Sequence, residues 1–413
     1  MKRALASSCL LLSLAAVVSA RAQGTSPSNS LAVTHANVVD VRTGRVAADA
    51  TVVVRDGTIA SVGAGAPPAG LRVIDLRGKY LVPGLIDAHT HLQTVRAARA
   101  ALESGVTTVR SASVGSFRDV ALRDLVRAGK LPGPDVVAAG IFVTPRLGED
   151  DVLADPALAD LPGEVVSEEA LRRLVRINLA HGVDVIKTRG TERAGTADTD
   201  PRQQTYTEAQ LRAIVEEAAT KGVPVEAHAH GDEGAMAAVR AGVRSIEHGT
   251  YLSDETLRLM KEQGTWLVPT YSTVVDLVEP GGDYDQPALH VRGMHMVPRL
   301  RETVRRAHQM GVKLATGADT SYGPASVTRI AHEVAAFVDI GLAPLEALRS
   351  ATAGAAELLR LEKRTGAIET GLEADFIAVE RNPLEQVGTL QDPLLVVSNG
   401  WVALDRLEFG RSR

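Results

Sequence analysis

The sequence holds a single cysteine in 413 residues, Cys9, and it falls within the first two dozen positions. A mature chain without that segment has neither disulfide nor thiolate to offer, so any metal must be held by histidine, carboxylate or a modified lysine. Runs of like charge are missing too. The 45 Lys+Arg stand against 50 Asp+Glu, a formal net charge of -5, with no basic stretch suited to a phosphate backbone. Nucleic acid is therefore not an expected partner. A transmembrane anchor is not the expected reading of the apolar N-terminal stretch Leu10 to Val18, which is shorter than the roughly 18 residues a helix needs to cross.

That stretch has the form of a secretory leader. Lys2 and Arg3 precede it and Ala20-Arg21-Ala22 follows as a small-x-small cleavage site, so residues 1–22 are expected to be a signal peptide and the protein periplasmic or secreted. Ala6 stands three residues before Cys9, where a lipoprotein signal carries leucine.

After a Ser/Pro-containing linker near Thr25 to Ser30, β-type runs at Ala32 to Val41 and Ala50 to Val54 flank the turn Arg42-Thr43-Gly44, and Leu71 to Leu76 adds another. The C-terminal part repeats that texture at Ala374 to Val379 and Leu394 to Val397. Because both ends are β and the middle is not, residues 30–82 and 363–413 are expected to pair into one small β-sandwich domain.

Between them, residues 83–362 alternate short apolar runs with amphipathic helical stretches, the pattern of a parallel sheet with crossover helices. Eight strands can be placed: Leu85 to His91, Val106 to Ala112, Asp135 to Phe142, Val183 to Gly190, Val223 to His230, Ser245 to Gly249, Trp266 to Tyr271 and Lys313 to Thr320. Eight parallel strands close a barrel, so the expected class is α/β, a (β/α)8 TIM barrel with the β-sandwich beside it. Two segments run long for connections, about 148–164 and 279–297, and the second follows strand seven on the side where a lid would sit.

In such a barrel, chemistry gathers at the C-terminal ends of the strands. Strand one ends in His89-x-His91, whose period-two spacing points both imidazoles to one side. Strand four ends in Lys187, strand five in His228 and His230, strand six in His248 and strand eight in Asp319. Each has an ordinary explanation on its own: a hydrogen-bonded histidine, a snorkelling lysine, an aspartate capping the next helix. Their joint occurrence at the same ends of five strands points to a metal-binding centre. His35, His181, His290, His295, His308 and His332 read as surface or loop residues.

The run Pro83-Gly84-Leu85-Ile86-Asp87-Ala88-His89-Thr90-His91, with the flanking β segments and Gly317-Ala318-Asp319, resembles the metal-dependent amidohydrolase superfamily over nearly the whole mature chain. Val185-Ile186-Lys187, Ala227-His228-Ala229-His230-Gly231 and Ser245-Ile246-Glu247-His248-Gly249 resemble its imidazolonepropionase-like and prolidase-like branch, which includes Xaa-Pro dipeptidases, metallo-carboxypeptidases and ochratoxin amidohydrolases.

The resemblance implies two divalent metal ions, zinc being the expected one. His89, His91 and Asp319 would hold one and His228 and His248 the other, with Lys187 carboxylated by CO2 to bridge them. It further implies hydrolysis of an amide in a small molecule or short peptide, with Asp319 moving the proton between water and leaving amine. Homo-oligomers are common in this fold, although no segment here marks an interface.

Some positions depart from the relatives. A deaminase carries a glutamate three residues after the strand-five histidine, where this chain has Gly231; Asp232 and Glu233 are out of register. That weakens, without removing, the alternative of a deaminase or a cyclic amide and imidazolone hydrolase. Dipeptidase-like relatives bind the substrate carboxylate through a tyrosine and an arginine, and His230 and Met236 occupy those places. His230 is a candidate to contact substrate or to support His228, and Arg189 is a candidate replacement cation. Tyr271 and Tyr322 are candidates to line the pocket, packing being the alternative. The short connection after His91 leads directly into a helix from Val95, which predicts a mouth open on that side and tolerance of a bulky acyl group.

Overall fold

The computed structural model describes residues 29–281, 284–324, 326 and 328–408. The expected leader, with Cys9, lies outside the described residues.

The N-terminal flank supplies β1 (Leu31–Val39), β2 (Val46–Arg55), β3 (Thr58–Gly63), β4 (Arg72–Asp75) and β5 (Tyr80–Pro83). The central segment supplies β6 (Leu85–Thr90), β7 (Val106–Ser111), β8 (Asp135–Val137), β9 (Ile186–Arg189), β10 (Val225–Ala229), β11 (Ser245–His248) and β12 (Trp266–Val268), and the C-terminal flank β13 (Phe376–Val379), β14 (Leu395–Ser398) and β15 (Trp401–Asp405).

Both flanks share one eight-stranded sheet, ordered β15-β14-β13-β5-β1-β2-β3 with β4 also on β1. The join between chain ends is β13 on β5, antiparallel from Phe376–Pro83 to Val379–Tyr80. His35, at φ 49, breaks the register of β1 with β2. Leu31 to Thr34 then pairs with β4, and Asn37 and Val38 with β5. Hydrogen bonding thus defines one forked sheet rather than two separate layers. Val33, Val52, Ile59, Leu81, Phe376 and Leu395 form its own buried core, distinct from that of the central segment.

The central segment forms two parallel arcs, β6-β7-β8 and β9-β10-β11-β12. Single parallel bridges join their edges: Val143 with Thr188, Leu267 with Leu314, and Thr90 with Thr320. With helices between successive strands, this is a TIM-barrel-like α/β fold. A well-capped example is the helix Glu208–Ala219, where Thr207 accepts from the Gln210 backbone N–H and the Gln210 side chain reaches back to the Thr207 N–H.

Two expected strands are mostly irregular, for a visible reason. After Val137 the chain's N–H groups go to side chains instead of a ladder: Ala138 to Asp184, Ala139 and Gly140 to Asp119, and Ile141 to Asn178. In the segment 313–320, Thr316 bonds to the Ser350 carbonyl and Ala318 to Asp87, and Asp319 takes a left-handed φ of 46. Gly317 is the close approach there, since a Cβ would fall 2.6 Å from the His89 Cβ.

The longer connections hold short helices at Glu149–Val152 and Pro156–Ala159, and a 24-residue helix, Pro287–Met310, begins inside the second. No described helix is long and apolar enough to cross a membrane.

Candidate active site

The strand ends bring His89, His91, Lys187, His228, His230 and His248, and the irregular segment 313–320 brings Asp319, to one cavity of about 260 Å³. Ligand atoms of His228, His230 and His248 lie within 4.8 Å of one another, and so do those of His89, His248 and Asp319. His91 joins through Asp319, its Nε2 standing 3.0 Å from Oδ1, while the His89 Nε2 is 3.5 Å from the same oxygen. His248 therefore sits between both groups, and His230 stands close enough to act with His228 and His248 as a ligand.

Hydrogen bonds fix which nitrogen each ring presents. His89 Nδ1 donates to Glu247 Oε2 at 2.7 Å, and His91 Nδ1 to the Ser113 carbonyl at 2.8 Å, so each turns the Nε2 lone pair to the cavity. His228 does the reverse. Its Nε2 donates to the Glu192 carbonyl at 3.0 Å and leaves Nδ1 as the ligand atom. His230 and His248 are held by hydroxyls, Nδ1 lying 2.8 Å from Thr250 Oγ1 and 2.7 Å from Thr270 Oγ1 respectively.

Burial favours the neutral form of His89, His228, His230 and His248, the state a metal ligand requires. It lowers His89 to about 4 and His230 to about 3, and holds His228 and His248 well below the usual imidazole range. Asp319 behaves oppositely: burial pushes its carboxyl up, but His89, His91 and Lys187 outweigh that and hold it ionised far below the ordinary range. Lys187 is buried, with an Nζ that has no hydrogen-bond partner among the described residues. Burial lowers its pKa, favouring the neutral amine.

Below the cavity lies a buried charge cluster that strand-end reasoning does not reveal. Arg110 on β7 donates to the Ala88 carbonyl, to Ser245 Oγ and to Glu247 Oε1, and its Nε lies 2.8 Å from Glu226 Oε2. Burial raises both glutamates; for Glu247, Arg110 and His89 overcome it and the carboxyl is held below its usual range, whereas Glu226 stays raised. Glu247 was visible only as part of Ser245-Ile246-Glu247-His248-Gly249. Alternation would send Glu247 and His248 to opposite faces, but His248 has a left-handed φ of 76, which turns its ring into the site. Thr270 and Asp319 are likewise left-handed, both at φ 46.

The remaining expected residues lie elsewhere. Arg189 does not line the cavity: its guanidinium bonds to Thr144 Oγ1 and Glu192 Oε2 and lies over the Phe142 ring. Arg193, four residues on, lines it instead. Tyr271 is turned away by the bend at Thr270, its N–H donating to Glu333, and it borders a different cavity with Ser272 and His332. Tyr322 is buried behind His89, its hydroxyl donating to Asp87 Oδ2 at 2.8 Å. Gly231 packs so closely on Arg202 that a Cβ would fall 2.4 Å from the Arg202 carbonyl oxygen, and Asp232 is engaged by Ser253 N–H and Thr256 Oγ1.

A TIM-barrel-like fold that gathers five buried or half-buried histidines, a lysine and an aspartate around one cavity defines a candidate metal-dependent enzyme centre. The chain belongs to the amidohydrolase family, whose description matches residues 80–402. It is 30% identical over 399 residues to the ochratoxinase of Aspergillus niger, covering 84% of this chain and 81% of that protein. It is 28% identical over 364 residues to the imidazolonepropionase of Micrococcus luteus, covering 81% and 88%. Among solved structures, a Xaa-Pro dipeptidase with methionine bound in its active site superposes with a TM-score of 0.80 at 28% identity, covering 90% of this chain and 99% of that one. Family and relatives together support a hydrolase of C–N bonds.

Proposed function

We propose that this protein is a binuclear metal-dependent amidohydrolase that releases an amino acid from an N-acyl amino acid, an ochratoxin-type amide or a dipeptide. The observation that carries the reading is the convergence of Asp319 and the buried Lys187 on one histidine-lined cavity, the Lys187 Nζ having no hydrogen-bond partner among the described residues.

The residues fit the metals the family uses. His89, His91 and Asp319 would hold one ion, and His228 and His248 the other. A neutral amine can attack CO2, forming an N–C bond and losing a proton, so the buried Lys187 is suited to become an anionic carbamate that would help hold both ions. Divalent cations held by these residues would supply Lewis acidity towards the scissile carbonyl and towards water.

The chain's own groups do the rest. Asp319, kept ionised, takes the proton as the water oxygen bonds to the carbonyl carbon, and returns it to the amine nitrogen as the C–N bond breaks. His230 donates from Nε2 to a substrate oxygen when the Thr250 hydroxyl donates to its Nδ1. Val114, Phe142, Val274 and Leu277 give apolar walls for the acyl side. At about 260 Å³ the cavity lies just under the usual range of roughly 300–1,000 Å³ for ligand clefts, which favours acyl groups of modest size. An ochratoxin-type amide is the largest of the three candidates and would press on Tyr284.

The imidazolonepropionase relative carries the alternative of cyclic amide hydrolysis or deamination. Gly231 counts against the deaminase form, because no side chain fits where its glutamate would stand. Export to the periplasm or medium is proposed from the leader alone. A hydrolysis panel of N-acyl amino acids, dipeptides, lactones and cyclic amides separates the readings by product: a free amino acid supports this one, whereas ammonia or a ring-opened product alone contradicts it.

A further inference from the structure

Arg193 stands exposed at the mouth of the cavity, without an ion-pair partner among the described residues. It lines the same cavity as His89 and Asp319, and its guanidinium makes no hydrogen bond with the described residues. Neighbouring arginines are used structurally: Arg189 on Thr144 and Glu192, and Arg202 on Asp200. Across the mouth, Asp151 already accepts from the Ser116 N–H at 3.2 Å.

The loop that carries Arg193 is held in place from outside. Arg292, on the helix Pro287–Met310, donates to the carbonyl oxygens of Ala194, Thr196, Ala197 and Thr199. Tyr284 packs on the same loop, where a Cβ at Gly195 would lie 2.9 Å from its ring. Four carbonyls gathered by one guanidinium fix a loop that otherwise lacks regular structure. Arg193 is thus presented to the cavity from a fixed base and with its donors free.

We propose that Arg193 is the specificity-determining residue that receives the substrate's carboxylate, and that Arg292 is a positioning residue acting through the loop 193–199. Resting on the amide-hydrolase reading above, this assigns the preferred substrates as amides whose leaving amine bears a free carboxylate. A planar guanidinium meets a carboxylate through two parallel N–H donors, which a neutral carboxamide cannot match.

The test uses the full-length metal-loaded enzyme with N-acetyl-L-phenylalanine and its carboxamide. Wild type is expected to favour the acid, and Arg193→Met to lose that preference by about 10- to 100-fold, with the loss in KM for the acid far exceeding any change in kcat or in carboxamide turnover. Arg193→Lys recovers part of the loss. Arg292→Met raises KM for the acid without lowering kcat or touching the carboxamide. An acid-to-carboxamide ratio that is the same in wild type and Arg193→Met overturns the proposal. If wild type cleaves neither compound, the hydrolase reading fails for this class, and calorimetric binding of the same pair decides the role of Arg193. Tighter binding of the acid that Arg193→Met abolishes supports it, and equal binding in both chains overturns it.

Discussion

Glu247 holds His89 in position through a 2.7 Å hydrogen bond between Oε2 and Nδ1, both side chains being buried. Arg110 anchors the other oxygen of the same carboxylate. This chain of contacts sets the tautomer of a cavity-facing imidazole. Glu247→Gln should keep the fold and weaken metal affinity by about 10- to 100-fold, read by competition with a chelator. Unchanged affinity would mean that the contact is structural only.

Asp319→Asn removes the proposed proton carrier while keeping the shape. Turnover should fall by about 10²- to 10⁴-fold. Metal content measured on the same sample separates lost chemistry from lost metal.

Lys187→Ala should lose metal as well as activity, with turnover down about a thousandfold or more. In intact-protein mass spectrometry under native conditions with bicarbonate, the wild-type chain should gain the mass of CO2 and the variant should not.

Burial makes the cluster insensitive to acid over a wide range. With His89 at about 4 and His230 at about 3, the folded, metal-free protein binds fewer protons there than free imidazole does as pH falls below 6.5. In NMR titration from pH 8 to 5 these rings, with His228 and His248, should stay neutral. The exposed His35, whose pKa Asp75 raises, should titrate above 6.5. His89, His228, His230 and His248 should accordingly add little pH dependence to metal affinity between pH 7 and 5.5, since no proton has to be displaced from them.

Tyr284 bounds the cavity beside Gly195, so Tyr284→Ala should raise kcat/KM for a bulky aromatic acyl substrate about tenfold relative to an acetyl one. An unchanged ratio would put the size limit elsewhere.

The strand ends were legible because hydrophobic runs closed by His, Lys or Asp recur at spacings that only a parallel α/β fold repeats. His89, His91, Lys187, His228, His230, His248 and Asp319 were each placed from that pattern, and they share one cavity. Their supports were not legible. Arg110 on β7 and Glu226 on β10 lie in different arcs of the barrel and far apart in sequence, so no local spacing marks them. His248 reaches the site through a left-handed backbone that a strand pattern does not foresee. Arg189 sat in register with Lys187, but Thr144 and Glu192 capture it, and the cation at the cavity is Arg193 on a loop whose path depends on Arg292. Tyr271 and Tyr322 followed strand ends in the sequence, yet the left-handed turn at Thr270 and the hydroxyl bond to Asp87 draw them out of the cavity.

The most direct test of a binuclear hydrolase is metal content and amide turnover measured on one preparation. The protein is loaded with zinc and bicarbonate, desalted, and then stripped stepwise with chelator. Two equivalents per chain, with release of free amino acid falling as they are removed and returning on reloading, is the predicted result. Full amide turnover in the metal-free protein, or failure to retain any divalent ion, would contradict it.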